Sequence, residues 1–213
     1  MNKTITNNSA SVKHLIDVDY KFKTLYQLVG KLSYELPSDP YVFIIETIIG
    51  QMLSNKVAEI LTKRLIGICD SGKIDIASIK RISINNLRSI GLSQRKSQCI
   101  IDFTNSYNKK DYSFLTSTDD EVIKKITSIK GLGTWSAKMF LLFVLDRKNI
   151  LPYEDAAFLQ ALVWYNGLAS IPSKNEIKNM CEIWSPYISI VARYLYRALD
   201  MGLTKNTFVS YMI

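Results

Sequence analysis

Asp155 and the glycine pair Gly131 and Gly133 are the residues of this 213-residue chain whose types and spacing best suit chemistry. Asp155 closes the run Leu151-Pro-Tyr-Glu-Asp155, so a turn delivers it to the start of the apolar helical pattern that follows. A carboxylate at a helix N-terminus is kept ionised by the dipole and the first-turn amides. It suits stabilising a developing positive charge or orienting an attacking water. Taken alone, Asp155 reads first as an N-cap, and Glu154 beside it as a solvated first-turn carboxylate. The glycines lie in Ile126-Thr-Ser-Ile129-Lys-Gly131-Leu132-Gly133-Thr-Trp135-Ser136-Ala137, where one helix ends and another begins. Glycine permits positive φ and close backbone approach, Leu132 would plug between the two helices, and the amides of Gly131, Gly133 and Ser136 would face outward. Such a turn cradles a phosphate without reading sequence. By itself a GxG turn is also an ordinary helix–turn–helix corner.

Other chemistries are excluded by residue type. The one histidine, His14, sits in a polar N-terminal stretch, which argues against a catalytic triad or a histidine metal site. Cys69, Cys99 and Cys181 lie 30 and 82 residues apart without CxxC spacing. Neither a disulfide framework nor a zinc or iron–sulfur site is supported, and the three read as buried free thiols.

The elements that must position these residues read as all-α. Helical apolar spacing runs through Tyr20–Leu32, Tyr41–Gly50, Gln51–Ile68, Ile82–Ile90, Gln94–Tyr107, Val122–Ser128, Trp135–Leu145, Asp155–Trp164, Asn175–Ile183 and Tyr187–Leu199. Ser93 reads as an N-cap, Thr118-Asp-Asp-Glu121 and Ser173-Lys-Asn-Glu176 as capping sequences, and Ser185-Pro186 as a cap followed by a first-turn proline. Residues 1–18 read as a polar tail and 19–213 as one domain, with the hairpin at about 126–137. The longest apolar run, Met139–Leu145, is far short of a membrane span, and the N-terminus lacks a signal-peptide core. The expectation is an intracellular protein with no membrane partner. The net charge is +8, which suits a polyanionic partner, although an AT-rich genome would also enrich lysine. Within residues 121–148 the excess is +4, from Lys124, Lys125, Lys130, Lys138, Arg147 and Lys148 against Glu121 and Asp146.

Four further segments share an order with the hairpin: Gly50-Gln51-Met-Leu53-Ser54 with Ala58, Gly91-Leu-Ser-Gln-Arg95-Lys96, Leu151–Asp155, and Trp184–Ser189 running into Ala192–Leu199. Together they resemble the helix–hairpin–helix (HhH-GPD) superfamily of DNA glycosylases, nearest to its DNA-3-methyladenine glycosylase II branch, over about 19–199. The resemblance implies two intertwined helical subdomains with a cleft between them, without an N-terminal β-domain or iron–sulfur loop. It implies a monofunctional enzyme of base excision repair that flips alkylated purines (3-methyladenine, 7-methylguanine) and hydrolyses their N-glycosidic bond. Asp155, 20 residues after Trp135, matches the family's essential aspartate. Trp135 occupies the position where bifunctional members carry a Schiff-base lysine, so no lyase activity is expected, and Lys138 reads as a surface or phosphate-facing cation.

Trp135 and Tyr196 match pocket aromatics suited to stacking and cation–π contact with a cationic base, though Tyr196 also reads as helix packing. Met139 replaces an aromatic one turn after Trp135, and Met52 is the expected wedge into the vacated stack. Gln51, Ser54, Gly131, Gly133, Thr134, Ser136 and Lys138 complete the implied DNA contacts. No cofactor is required, and the resemblance implies a structural monovalent cation on the carbonyls of Thr127, Ile129 and Leu132. The implied partner is damaged double-stranded DNA, bound by a monomer in the nucleoid-bearing cytoplasm of a prokaryote or the nucleus of a eukaryote. The other readings are a related glycosylase for another damaged base and a non-catalytic helix–hairpin–helix module that binds distorted DNA.

Overall fold

The structure, a computed structural model, describes residues 2–108, 114 and 117–212. Residues 1, 109–113, 115–116 and 213, which the expected domain spans include, lie outside the described residues. The chain forms two compact units, one of Met1–Leu36 with Leu141–Ile213, the other of Pro37–Phe140.

The first unit contains β1 (Asn2–Ile5), α1 (Ala10–Val18), α2 (Tyr20–Val29) and β2 (Leu32–Glu35) from the N-terminal segment. From the C-terminal segment it takes α10 (Ala156–Asn166), α11 (Lys174–Glu182), α12 (Ile188–Asp200) and two short 3-10 turns, Leu203–Lys205 and Phe208–Tyr211. Its core packs Phe158, Leu162 and Tyr165 of α10 with Val191, Tyr194 and Leu195 of α12 and Phe22 and Leu25 of α2.

The expected polar tail is overturned here. β1 pairs antiparallel with β2, from Asn2 opposite Glu35 to Ile5 opposite Leu32. In α1, Val12 and Leu15 are fully buried, and the His14 Nε2 lies 2.9 Å from the Ser185 carbonyl oxygen. Only Ile5 of β1 is buried, so the ribbon is held mainly by backbone pairing, and a four-residue strand with three polar residues leaves almost no apolar periodicity. The helix expected to reach Leu32 stops at Val29, because Gly30 takes φ +76° and turns the chain into β2.

Asp19, with 5% of its surface exposed, joins the two segments of this unit. Its carboxylate accepts from the Tyr165 hydroxyl (2.7 Å) and the Trp184 indole N–H (2.9 Å), and caps α2 through the Lys21 amide (3.1 Å). Burial, and after it the Asp19 charge, push the Tyr165 phenol far above the ordinary tyrosine range, so it donates to Asp19. Hydrogen bonds to a charged acceptor contribute about 1.5–3 kcal/mol each. Asp19→Ala is therefore expected to lower unfolding free energy by about 3–5 kcal/mol in urea titration; a loss below about 1 kcal/mol would show that desolvation cancels the contacts.

The second unit holds α3 (Pro40–Gly50), α4 (Asn55–Ile68), α5 (Ile76–Arg81), α6 (Ile84–Ser89), α7 (Gln94–Ser106), α8 (Asp119–Thr127) and the first part of α9 (Thr134–Phe143). Its buried residues include Ile44, Ile45 and Ile48 of α3, Leu65 of α4, Ile100 and Phe103 of α7, and Val122 and Ile126 of α8. The expected caps form: Ser93 caps α7, and Thr118/Glu121 and Ser173/Glu176 form reciprocal capping boxes at α8 and α11. Ser185-Pro186 departs from expectation, since it is a cis pair lying before the N-cap Tyr187 rather than a cap and first-turn proline.

Candidate functional site

The turn between α8 and α9 folds as its glycines require. Gly131 adopts φ +98°, and a Cβ there would lie 2.8 Å from the Cys99 Sγ, so a side chain is excluded both by conformation and by space. Gly133 does not adopt a positive φ, and a Cβ on it would meet nothing within 4 Å. Its lack of a side chain instead leaves the exposed rim of the turn bare. Leu132 is buried as the plug, held by its amide on the Ile129 carbonyl (3.0 Å). α9 starts at Thr134, directly behind the turn, so first-turn amides that have no acceptor within the helix are set at the exposed Gly133 and Thr134. Among the described residues the buried Ser136 hydroxyl has no hydrogen-bond partner, and its burial leaves only its backbone for an outside ligand.

On α9, Trp135 is half-buried, and Met139, one turn later, is buried. Lys138 corrects the expectation of a surface cation: it is 8% exposed, because Ala137 to Leu142 are buried on every face of this helix.

Leaving α3, the chain makes a tight loop, Gln51–Ser54, ahead of α4. Met52 sits in the left-handed region at φ +58° with its side chain fully exposed (101%). Ser54 is exposed and caps α4 on the Val57 amide. Gln51 does not face outward as a DNA ligand would: its side-chain amide donates to the Gly131 carbonyl at 2.9 Å. Two residues to which the sequence assigned no role of their own support this edge. The Lys96 ammonium donates to the carbonyls of Ile49 (2.7 Å) and Gln51 (2.8 Å), and the Cys99 thiol donates to the Lys130 carbonyl (3.1 Å). Burial pushes the Cys99 thiol up to about 11, which keeps it protonated and able to donate.

Asp155 belongs to the first unit. The turn Pro152–Asp155 closes through the Asp155 amide on the Pro152 carbonyl (2.9 Å), and the carboxylate caps α10 on the Phe158 amide (2.8 Å). Tyr196 of α12 lies beside it. Its ring packs with Phe143 (centroids 5.9 Å apart) and Phe158 (6.5 Å). Its hydroxyl is buried and is turned to the Asp155 carboxylate. Burial first, then the adjacent Asp155 carboxylate, drive the phenol well above the usual tyrosine range, so the hydroxyl stays protonated beside that carboxylate.

One turn before Tyr196 on α12, the buried Arg193 guanidinium lies over the rings of Tyr34 (3.9 Å) and Phe143 (5.0 Å) and 3.4 Å from the Asp146 carboxylate. Asp146, at φ +51°, also accepts from the Tyr34 hydroxyl (2.9 Å) and Lys148 (2.7 Å). This group fastens β2 to the chain that follows α9. Arg147 and Lys148, read in sequence as part of a basic excess, therefore neighbour a paired acidic residue.

No family model matches the chain. Among curated proteins it is similar to DNA-3-methyladenine glycosylase 1 of Schizosaccharomyces pombe, at 28% identity over 211 residues that cover 93% of this chain and 90% of the relative. It is also similar to the alkylbase DNA glycosidase-like protein mag2 of the same yeast, at 28% identity over 194 residues, 87% of this chain and 91% of that one. A solved structure of the S. pombe 3-methyladenine DNA glycosylase in complex with abasic DNA superposes with a TM-score of 0.83 at 25% identity, covering 90% of this chain and 97% of that one.

Proposed function

We propose that this chain, a member of the helix–hairpin–helix (HhH-GPD) superfamily of DNA glycosylases, is a monofunctional enzyme of base excision repair acting on alkylated purines such as 3-methyladenine and 7-methylguanine. What carries this reading is Asp155, a carboxylate held at the N-terminus of α10 in a chain whose hairpin helix bears Trp135 in place of a lyase lysine. The hairpin amides of Gly131, Gly133, Thr134 and Ser136 grip a DNA phosphate, and Met52 fills the gap left by the extruded base. Trp135, Met139 and Tyr196 are assigned to the extruded base, an aromatic face favouring a cationic ring.

Asp155 stabilises the oxocarbenium-like sugar as the N-glycosidic bond breaks and orients the water that adds to the anomeric carbon. An N-alkylated cationic base takes the bonding electron pair and leaves neutral, so modest assistance suffices. The water's proton passes to the carboxylate and then to solvent, and an abasic site remains. A monovalent cation on the carbonyls of Thr127, Ile129 and Leu132 belongs to the same proposal, because these carbonyls lie at and just beyond the C-terminal end of α8, where the helix dipole favours a cation. The partner is damaged double-stranded DNA, engaged by a monomer, in whichever compartment holds the genome.

The deciding experiment incubates the protein with methylated duplex DNA and follows free bases by chromatography. Release of 3-methyladenine is expected, with strands left intact and no adduct trapped by borohydride, since no amine attacks the sugar. Binding to damaged duplex without base release would instead favour the non-catalytic module.

A further inference from the structure

We propose that Lys96 is a positioning residue for base extrusion, holding the Met52 loop in the raised, left-handed conformation that presents the wedge. The inference rests on the wedge role proposed above for Met52. An exposed apolar side chain on a positive-φ residue does not hold itself in place, because a non-glycine residue in that region costs about 1–2 kcal/mol. The turn closes on the Leu53 amide to the Gly50 carbonyl (3.1 Å), and contacts from outside it add to that constraint.

The Lys96 ammonium reaches beneath the loop and takes two carbonyls, Ile49 at the end of α3 and Gln51 immediately before Met52. Those carbonyls include groups left without an amide partner where the helix ends, and a cation at a helix C-terminus is favoured by the dipole. Burial lowers the Lys96 pKa, as for an ammonium partly withdrawn from water. The other side of the loop is tied by the Gln51 amide on the Gly131 carbonyl. Three residues along α7 from Lys96, Cys99 holds the Lys130 carbonyl and packs under Gly131. One helix thus supports both the wedge loop and the hairpin, through two side chains at i and i+3. The hairpin has its own support in Cys99, so removing the Lys96 cation would slacken the wedge and leave the phosphate grip in place.

The test uses a duplex with 2-aminopurine beside a tetrahydrofuran abasic-site analogue, whose fluorescence rises when the gap is filled and the stack opens. Lys96→Met, which keeps length and removes the cation, is expected to reduce that rise to near the level of Met52→Ala and to slow base release from methylated duplex about tenfold. Its DNA affinity by anisotropy stays within about threefold of wild type. Lys96→Arg, able to reach the same carbonyls, restores most of the signal. The double variant Lys96→Met, Met52→Ala is expected to be no worse than Met52→Ala, since both act on one wedge.

Lys96→Met with wild-type fluorescence, or a double variant in which the two losses multiply, overturns the proposal alone. If Lys96→Met fails to fold, Lys96→Gln, polar but uncharged and shorter, carries the same expected signature, and wild-type fluorescence in that variant overturns the proposal equally. A wild-type protein that raises no fluorescence and releases no base overturns the glycosylase reading, and the proposal falls with it.

Discussion

Replacing Asp155 with asparagine is expected to leave the protein folded and bound to DNA while cutting base release from methylated duplex about 100- to 1,000-fold. The substitution separates two roles of one side chain. Asp155 caps α10 on the Phe158 amide, and asparagine is as good an N-cap as aspartate, so the helix start survives. The negative charge does not survive, and with it goes the electrostatic stabilisation of a sugar becoming positive. Cationic alkylated bases leave readily, which places their expected loss at the lower end of that range. Melting temperature and DNA affinity should stay close to wild type, and chromatography of released base reads the defect. Undiminished release would transfer the catalytic assignment to another carboxylate, with Glu154 the next to test.

Gly131→Ala should damage the molecule in a different way. The backbone at φ +98° and the Cys99 Sγ, 2.8 Å from the position of the new Cβ, impose two separate costs. Strain of about 1–3 kcal/mol for the conformation adds to about 1–3 kcal/mol of overpacking. For a chain of this size the sum corresponds to a melting temperature lower by about 4–24 °C. The turn also carries the Lys130 carbonyl that Cys99 holds and the Gly131 carbonyl that Gln51 holds, so DNA affinity should fall with stability. Cys99→Ala in the same chain should return part of the lost stability by removing the clashing sulfur, leaving the strain. Gly133→Ala is the contrasting control: with open space around its Cβ and no positive φ, it should melt like wild type and weaken only the approach of DNA. Equal melting of Gly131→Ala and wild type would mean the turn relaxes freely.

The parts of this site legible in the sequence are those that short-range chemistry dictates. The GxG turn, the Leu-Pro turn ahead of Asp155, and the capping boxes at Thr118 and Ser173 each follow from residues within a few positions of one another. What failed to show was direction. Gln51, in a loop beside an exposed methionine, has the composition of a ligand for DNA, yet its amide turns inward to a carbonyl 80 residues away. Lys138 has the charge of a surface residue and lies buried, because its neighbours on α9 are enclosed on all sides. Lys96 stood in a motif that carried the resemblance, and nothing in its spacing said that its ammonium served carbonyls instead of phosphate. The N-terminal ribbon was hidden for another reason: backbone pairing holds it, and pairing leaves little trace in side-chain pattern.

The first unit is assembled from both ends of the chain, with all of Pro37–Phe140 inserted between its halves. During synthesis, Asp19 leaves the ribosome long before the groups that neutralise its burial. Tyr165 follows 146 residues later and Trp184 165 residues later. The inserted unit, continuous in sequence, has its own partners in hand well before that. Vectorial synthesis therefore completes the hairpin and wedge loop first, and the body that carries Asp155 closes only with the last helices. A ribosome stalled in the final quarter of the message would hold a chain with its hairpin turn formed and Asp155 unsupported.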